Sequence, residues 1–444
     1  MLRSQHVCQC PWGTRDVIER NTVVIQPRLT EITDYRDFVG DDAVERIREK
    51  AKPLRGMHIA HVNSTYYGGG VATLLSSLTL MLHSLGIKTG WRVIQGSPDF
   101  FSITKKMHNA LQGGAINLTN RKQQIYEEVI HANALRNHLT HDFVVVHDPQ
   151  PLPMIREYRK RGPWIWRCHV DMTEPDAALW SYLRPFVEDY DAAIFSLDKY
   201  CQDLTIPQLV FPPAIDPFSI VNRQLREEEI SERLRHYDIP EDLPLVVQIS
   251  RFDRWKDPEG VLDAFDLART EVDATLVLLG NVATDDPEGE AVYQSLLDRR
   301  DERVIIISQE DTALVNALQT RAAVVLQKSK REGFGLTVTE AMWKETPVIG
   351  GNVGGIRIQI RDGENGYLVS SVEQAAQRIV QLIRDPDLRQ QMGRRARDTV
   401  RERFLLSTLV ERYLDLLTGF ERIYRLKNDV PSSGMRHAQN EEPT

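Results

Sequence analysis

Short apolar runs recur along most of this chain, and segments of helix length separate them. In the first half, such runs occupy 56–63, 143–147, 164–170, 192–197 and 209–211. In the second half, they occupy 243–250, 274–280, 303–308, 322–327 and 347–350. Runs of this kind are typical of strands in a parallel sheet that helices cover on both faces. The alternation therefore predicts an α/β fold of two Rossmann-like, doubly wound domains.

A proline-rich connector divides the two halves. The sequence FPPAIDPF, residues 211–218, interrupts the alternation, so we place the domain boundary near Ile215. A chain of 444 residues is long enough for two domains, each with its own core. The expected division is a polar and disordered leader over 1–30, an N-terminal domain over 31–215, a C-terminal domain over 216–404 and a polar, disordered tail over 428–444.

Charge and cysteine content narrow the class of protein. The formal net charge is −8 at pH 7, and we find no cluster of Lys and Arg of the kind that grips nucleic acid, so no nucleic-acid partner is expected. No run of about 18 apolar residues occurs, which argues against a membrane-spanning helix. The four cysteines are scattered, which favours a reducing cytoplasm over a disulfide framework. Cys8 and Cys10 have no second ligand pair at metal-binding spacing, so no metal site is expected.

Two loops that follow predicted strands are suited to anions. NSTYYGGGV, residues 63–71, leads into a helix whose N-terminus and glycine N–H groups favour an anion. It matches neither the dinucleotide-binding pattern nor the P-loop pattern, and its glycines could instead form only a tight turn. SRFDRWK, residues 250–256, places Arg251 and Lys256 after a strand. These cations could hold a diphosphate or form a solvated surface pair.

The segment REGFGLTVTEAMW, Arg331–Trp343, places two glutamates on either side of a Gly-Phe-Gly turn. We expect a helix to start near Gly335 or Leu336, which leaves Glu332 in the loop and places Glu340 just over one turn into the helix. Carboxylates accept hydrogen bonds from hydroxyl groups, whereas N–H groups at a helix N-terminus bind anions. A ligand with sugar hydroxyls at both ends and phosphate in the middle fits this order.

A histidine and an aspartate also follow two of the predicted strands. RCHVDMT places His169 and Asp171 on the same side of an extended segment, and VHDPQP places His147 beside Asp148. Such residues at strand ends either bind a ligand or make the hydrogen bonds that turn the chain.

Several of these segments resemble one known family. The spacing of Glu332 and Glu340, together with SRFDRWK and the glycine loop, is similar to that in retaining GT-B glycosyltransferases of family 4. More narrowly, HVNSTYYGGGV, MHNALQG, VHDPQP, WIWRCHVD and REGFGLTVTEAMWK resemble the trehalose synthase family, which joins a nucleotide-activated glucose to free glucose. The resemblance covers about residues 30–425. It implies a GT-B fold in which two domains face a central cleft and residues 405–427 cross back onto the first domain.

The resemblance implies a donor site on the second half of the chain. Glu340 would bind the ribose hydroxyls, and Glu332 would bind the 3- and 4-hydroxyls of the donor glucose. The backbone amides that would assist Glu332 are those of Gly333, Phe334, Gly335 and Leu336. The groups that would face the diphosphate are Arg251 and Lys256 from the second half and Gly69 and Gly70 from the first.

The resemblance also implies sugar contacts from the first half. His169 would contact the 6-hydroxyl of the donor glucose near the anomeric carbon. The candidate acceptor residues are Asn109, Asp148 and Gln150. The candidate catalytic residues are Arg251, Lys256, Glu332 and His169.

The expected function is that of a retaining glucosyltransferase, which makes trehalose reversibly from a nucleoside diphosphate glucose (NDP-glucose) and free glucose. No motif requires a cofactor, the choice among ADP, UDP and GDP stays open, and so does stimulation by Mg²⁺. We expect a homodimer. The alternatives are a trehalose phosphorylase that uses glucose 1-phosphate, a non-catalytic nucleotide-sugar sensor and a nucleotide-sugar epimerase.

Overall fold

The computed structural model describes residues 30–66, 69–280 and 287–429. Their strands form two six-stranded sheets in which every pairing is parallel. The strands of the first sheet are β1 His58–Asn63, β2 Lys88–Val93, β3 Phe143–His147, β4 Trp164–Arg167, β5 Ala192–Phe195 and β6 Gln208–Val210. Those of the second sheet are β7 Leu245–Ile249, β8 Thr275–Gly280, β9 Val304–Ser308, β10 Val324–Gln327, β11 Val348–Gly351 and β12 Tyr367–Val369.

Helices connect these strands and cover both sheets. In the first half they are α1 Arg36–Val39, α2 Asp41–Ala51, α3 Gly69–Ser84, α4 Pro98–Leu111, α5 Asn120–Arg136 and α6 Ala177–Val187. In the second half they are α7 Glu227–His236, α8 Pro258–Ala268, α9 Pro287–Leu297, α10 Thr312–Arg321, α11 Leu336–Trp343, α12 Ile356–Gln359, α13 Val372–Arg384, α14 Pro386–Arg403 and α15 Leu406–Asp429.

Both sheets have the strand order of a doubly wound fold. The first sheet runs β2-β1-β3-β4-β5-β6, and the second runs β12-β11-β10-β7-β8-β9. In each sheet the chain starts at an inner strand and later reverses its direction of travel across the sheet. Ligands of such sheets bind outside the carboxyl ends of the strands, near the point of reversal. The predicted α/β fold of two doubly wound halves is confirmed.

All ten predicted strands are present, but two edge strands were missed. β2, with the sequence KTGWRV, is exposed or partly exposed along its whole length. β12 contains only three residues. Neither strand carries the continuous apolar run that marks a strand buried on both faces, because each is paired on only one side.

The last helix returns to the first half of the molecule. The backbone N–H of Ile215 donates to the carbonyl of Phe404 at 2.9 Å, and the N–H of Leu406 donates to the carbonyl of Ile215 at 2.8 Å. The segment at Ile215 and the segment at 404–406 therefore run side by side. Beyond them, α15 packs on α2, where Arg46 Nε donates to Glu411 Oε1 at 2.6 Å. The domain boundaries near Ile215 and residue 404 stay predictions.

Some predicted segments fall outside the described residues. They are the leader over 1–30 except Thr30, the tail over 428–444 except its first two residues, and the pair Cys8 and Cys10. Among the residues that are described, no helix is both long and apolar enough to cross a membrane.

Candidate functional site

Loops from the two sheets meet at the carboxyl ends of their strands. Tyr200, which follows β5, donates its hydroxyl to the carbonyl oxygens of Glu332 at 3.1 Å and Gly333 at 2.9 Å. A Cβ atom added to Gly333 would lie 2.6 Å from the carbonyl oxygen of His169. Only glycine permits so close an approach. The loops that carry Glu332 and His169 therefore lie against each other in the cleft where the two halves meet.

A buried ion pair lies on the second-half wall of this cleft. Lys256 Nζ is 2.6 Å from Glu332 Oε2, and the two side chains are 19% and 9% exposed. The same carboxylate oxygen accepts from Ser329 Oγ at 3.0 Å and from Gln327 Nε2 at 3.3 Å. These partners compensate the cost of burying the carboxylate charge. Residues 76 positions apart are thus held as one unit.

The turn after β7 fixes the backbone of Lys256. Asp253 Oδ1 accepts the N–H groups of Trp255 at 2.9 Å and Lys256 at 3.1 Å, and Gln248 Nε2 donates to the carbonyl of Lys256 at 2.9 Å. Arg251 is held less tightly. Its side chain is 57% exposed and contacts Asp253 at 3.2 Å. Because a surface pair of this kind is weak, the guanidinium can turn toward an anion in the cleft at little cost.

The Gly-Phe-Gly turn leaves three N–H groups open. Within the described part of the chain, no residue accepts a hydrogen bond from the N–H of Gly333, Phe334 or Gly335. Gly335 has a φ of +84°, and α11 begins at the next residue, Leu336, as expected. Phe334 anchors the turn, since its ring lies edge-on to Phe404 at 5.6 Å. Open N–H groups at a helix N-terminus are suited to an anion.

Glu340 lies deeper, at the boundary with the first half. Its side chain is buried, and burial raises the pKa of its carboxyl despite the opposing effect of Lys344. Burial also disfavours the charged form of Lys344, and it lowers the pKa of that residue to about 7. Glu340 lines a cavity of about 10 Å³ with Thr73 and Ser77 of α3, which is room for about one water. The ribose contact of Glu340 stays a prediction.

The glycine loop of the first half faces the start of α11. A Cβ added to Gly70 would lie 2.8 Å from Leu336 Cδ1, and Gly69 has a φ of +76°. Tyr67 and Gly68, from the same loop, lie outside the described residues. The N-termini of α3 and α11 therefore approach each other across the cleft.

Three histidines form a hydrogen-bonded column on the first-half wall. His61 Nδ1 is 3.0 Å from His147 Nε2, and His147 Nδ1 is 3.0 Å from His169 Nε2. They lie on or just after the adjacent strands β1, β3 and β4. Burial lowers the pKa of each ring, to about 3 for His61, so all three are neutral at pH 7.

The column fixes the direction of its own hydrogen bonds. A neutral imidazole has one N–H and one bare nitrogen, so His147 donates to one neighbour and accepts from the other. His61 Nε2 has no partner among the described residues, and the guanidinium of Arg167 lowers the pKa of His61 further. Because a bare nitrogen is favoured beside a cation, His61 carries its hydrogen on Nδ1 and donates it to His147 Nε2. His147 then donates from Nδ1 to His169 Nε2, so His169 carries its own hydrogen on Nδ1.

Asp148 is tied to the same wall. It has a left-handed φ of +62°, and its Oδ1 accepts the backbone N–H of His169 at 2.8 Å. Burial raises its pKa to about 7, although this hydrogen bond and Arg167 lower it. Of the other acceptor candidates, Gln150 has a buried Oε1 with no described partner, and Asn109 lies in α4. Their acceptor roles stay predictions.

Sequence reasoning missed three residues in and around the cleft. Burial, then Arg251 and Lys256, lower the pKa of His108 to about 4, so this residue of α4 lies close to both cations. The segment MHNALQG, which carried part of the resemblance, contains it. Tyr200 and His61 were also missed. A signal for His61 was its place in the strand HIAHVN, whereas nothing in the sequence marks Tyr200.

No metal-binding group stands out in the part of the chain that the structure describes. There, three or more His, Cys, Asp or Glu side chains do not come together in a way that could hold a metal ion.

Two family models match this chain. Residues 61–202 match the model "Trehalose synthase, N-terminal domain", and residues 229–399 match "Glycosyl transferases group 1". The first match contains the histidine column, and the second contains Arg251, Lys256, Glu332 and Glu340.

Curated relatives span nearly the whole chain. The trehalose synthase of Thermococcus litoralis is 43% identical over 399 residues, which cover 88% of this chain and 97% of that one. That of Rubrobacter xylanophilus is 38% identical over 401 residues, covering 87% and 96%. A trehalose phosphorylase of Grifola frondosa is more distant, at 28% identity, and the match covers 84% of this chain but only 58% of that one.

Solved structures share the architecture at low identity. The α,α-trehalose 6-phosphate synthase of Burkholderia multivorans superposes with a TM-score of 0.66 at 14% identity, covering 83% of this chain and 99% of the other. Its likeness supports the GT-B arrangement of the two sheets. The family matches and the identities over most of the chain show that this protein belongs to the trehalose synthase family of glycosyltransferases.

Proposed function

We propose that this protein is a retaining glucosyltransferase that forms trehalose from an NDP-glucose and free glucose, and that the reaction is reversible. The observation that carries the proposal is the pairing of Lys256 with Glu332, next to the turn whose Gly333 lies against the backbone of His169, in a chain of this family. Cations, open amides and the neutral imidazole of His169 thus lie close together.

The polar groups fit the parts of such a donor. Lys256, Arg251 and the open N–H groups of the turn at 333–335 are suited to a diphosphate. The carboxylate of Glu332, already held by Lys256, can accept hydrogen bonds from sugar hydroxyls. The Nδ1–H of His169 can donate to a hydroxyl oxygen, which agrees with its assignment to the 6-hydroxyl of glucose.

Charge development explains how this arrangement promotes transfer. As the bond between the anomeric carbon and the phosphate oxygen breaks, negative charge grows on the diphosphate and positive charge grows on the sugar ring. Fixed cations and N–H dipoles stabilise the leaving group without having to reorganise. Closure of the cleft around the donor would exclude water, which otherwise hydrolyses it.

Retention follows from attack on the same face of the sugar. Of three described carboxylates near His169, Glu332 is paired with Lys256, Asp148 has a pKa raised to about 7, and Asp171 accepts hydrogen bonds from the N–H and hydroxyl of Thr173. None of them resembles the free nucleophile of a retaining glycosidase. In the proposed step, the acceptor hydroxyl bonds to the anomeric carbon on the face that the phosphate leaves, and the leaving phosphate oxygen takes the acceptor's proton.

The test is a transfer assay with purified protein. ADP-, UDP- and GDP-glucose are each supplied with glucose, and the product is identified by digestion with trehalase. We expect trehalose with at least one donor, and a loss of turnover of at least a hundredfold in Glu332→Gln and in His169→Ala. Full activity in both variants would show that the donor site is wrongly assigned.

The same assay separates the alternatives. A trehalose phosphorylase would form trehalose from glucose 1-phosphate and glucose and release phosphate. A sensor would bind NDP-glucose, detected by calorimetry, without turning it over, and an epimerase would isomerise the donor without an acceptor. The incomplete match to the fungal phosphorylase weighs against the first of these.

Finer points of the proposal have their own measurements. We propose a homodimer, which light scattering after gel filtration measures, and a cytoplasmic location, which the four scattered cysteines support. The reaction as written uses side chains and N–H groups of this chain. Turnover with Mg²⁺ and with a chelator measures any stimulation by the metal ion.

A further inference from the structure

A second cavity lies behind the loop that carries Glu332. Its volume is about 780 Å³, within the range of small-molecule sites. Loops that follow β4, β5 and β6 form one side, loops that follow β10 and β11 form the other, and residues of α14 and α15 close it. None of the candidate catalytic residues Arg251, Lys256, Glu332 and His169 lines it.

The walls of this cavity carry an excess of positive charge. Its cationic residues are Lys199, Lys330, Arg331, Arg357, Arg403 and Arg412. Its acidic residues are Asp171, Glu174 and Asp198. Cations that line a concave, low-dielectric surface concentrate a positive potential, which attracts anions.

Four of these cations are not neutralised by carboxylates. Among the described residues, Lys199 and Arg357 pair with none. Arg403 donates to the carbonyl of Ile358 at 3.0 Å, and Arg412 donates to the carbonyl of Val210 at 3.1 Å. Burial, and then the nearby cations Arg403 and Arg167, lower the pKa of Arg412. The described walls of the cavity therefore carry a net positive charge.

The cavity also offers groups for hydroxyls. Ser196 is 1% exposed, lines the cavity, and its Oγ has no hydrogen-bond partner in the described structure. A buried hydroxyl without a partner is costly, so a ligand or water is expected there. The exposed carboxylate of Asp198 can accept hydrogen bonds from hydroxyl groups.

We propose that this cavity binds a phosphorylated sugar, with its phosphate against Arg357, Arg403 and Arg412 and its hydroxyls toward Ser196 and Asp198. Arginine forks are suited to phosphate oxygens. The site does not depend on the function proposed above, because its residues lie outside the donor site.

The position of the cavity links it to the donor loop. Glu332 turns its carboxylate toward Lys256, whereas its carbonyl accepts the hydroxyl of Tyr200, which lines the cavity. Arg331, the residue before Glu332, also lines it. A bound sugar phosphate would contact the reverse side of the loop that holds the donor-site carboxylate.

Titration calorimetry of the full chain tests the proposal, with glucose 6-phosphate as the probe. We expect binding to the unmodified protein, and affinity about tenfold weaker in Arg357→Ala and about a hundredfold weaker in the double variant Arg357→Ala with Arg403→Ala. Arg361→Ala is the matched control, because Arg361 is exposed, pairs only weakly with Glu364 at 3.9 Å and does not line the cavity. Its affinity should match that of the unmodified protein.

Two further arms decide whether the ligand is a sugar phosphate at this site. Inorganic phosphate should bind more weakly than glucose 6-phosphate. Any affinity for glucose alone should be the same in Arg357→Ala as in the unmodified protein. Equal affinity for inorganic phosphate and glucose 6-phosphate would overturn the proposal. Binding that survives in the double variant would also overturn the proposal. If Lys256→Met abolished that surviving binding, the probe would be in the donor site. Arg357 is exposed and its side chain makes no hydrogen bond or ion pair with the described residues, so Arg357→Ala should fold even if the double variant does not.

Discussion

The two walls of the cleft hold their polar groups in different ways. On the first-half wall, His61, His147 and His169 are uncharged rings that hydrogen-bond to one another. On the second-half wall, Lys256 and Glu332 form a buried ion pair. The difference has a physical basis, because buried imidazoles can become neutral and so avoid the cost of a buried charge, whereas a lysine and a carboxylate compensate each other.

This difference matches the two parts of a nucleotide sugar. Uncharged donors and acceptors bind hydroxyls without favouring anions, and cations favour phosphate. One wall is thus suited to the sugar and the other to the diphosphate and to the hydroxyls that Glu332 can reach. Substitutions that remove a charge should therefore lower turnover mainly when they are made on the second-half wall, and changes in protonation should act mainly through the first-half wall.

Removal of the charge on Lys256 should have the largest effect. In Lys256→Met, we expect turnover to fall by about a hundred- to a thousandfold, because the growing charge on the leaving group loses a fixed cation. Stability should also fall by about 3 kcal/mol, since Glu332 is left buried without its partner. Turnover and urea denaturation measure the two effects separately.

A second substitution separates these effects. Adding Glu332→Gln to Lys256→Met removes the unpaired charge, so most of the lost stability should return while turnover stays low. Lys160→Met is the matched control, since Lys160 pairs with Asp191 at 3.2 Å outside the cleft and should leave turnover within about twofold. If turnover returned together with stability, Lys256 would have only a structural role.

The two walls touch at Gly333, where there is no space for a side chain. A methyl group there would lie 2.6 Å from the carbonyl of His169. Gly333→Ala should therefore lower stability by about 1–3 kcal/mol and separate the two walls. Thermal unfolding measures the change.

Gly419→Ala provides the control for that substitution. Gly419 lies in α15, and a Cβ added to it has no atom within 4 Å, so alanine should maintain or raise stability by up to about 1 kcal/mol. An unchanged melting temperature in Gly333→Ala would mean that the walls do not meet as described.

The histidine column should make stability depend on pH. The pKa of His61 falls from 6.5 in the unfolded chain to about 3 in the fold, because of burial and Arg167. Below pH 6.5 the unfolded state therefore binds the proton more readily. The contribution of the neutral ring is complete above pH 6.5 and is lost progressively as the pH falls toward 3, by about 1.4 kcal/mol per unit.

Urea denaturation at pH 6.5 and pH 5 measures this dependence. Between these values, His61→Phe should lose about 2 kcal/mol less stability than the unmodified protein. Asp148 acts in the opposite direction, since its pKa is raised to about 7 and its contribution is complete at low pH and lost as the pH rises. It is present in both proteins, so the comparison isolates His61. Identical pH dependence in both would show that His61 is not buried in its neutral form.

Sequence patterns predicted the sheets well because buried parallel strands need continuous apolar runs. Strand β3 was predicted with its observed bounds, whereas β2, KTGWRV, was missed because an edge strand can remain polar. Helix α11 was placed correctly from the Gly-Phe-Gly turn, whose final glycine adopts the left-handed conformation at the helix start. Local signals of this kind depend on near neighbours along the chain.

Pairings between distant residues could not be predicted in this way. Lys256 and Glu332 were both selected from the sequence, but their ion pair depends on β7 and β10 lying side by side, which follows from strand order and not from either segment. The histidine column likewise requires β1, β3 and β4 to be neighbours. Tyr200 contacts Glu332 only because the two halves of the molecule face each other.

The smallest expected effect concerns His147, which contacts no ligand in the proposed reaction. His147→Phe removes the partner of His169 Nε2, so His169 is free to carry its proton on either nitrogen. We expect turnover to fall about tenfold with little change in the KM for the donor, because the ring remains in place but its N–H is no longer fixed on Nδ1. His147→Gln, whose amide can hydrogen-bond to His169, should restore part of the rate. Since the column is uncharged, neither variant should alter the dependence of the donor KM on salt, whereas Lys256→Met should reduce it. A salt dependence that changed with His147 would mean that the first-half wall also acts through charge, and the contrast between the walls would fail.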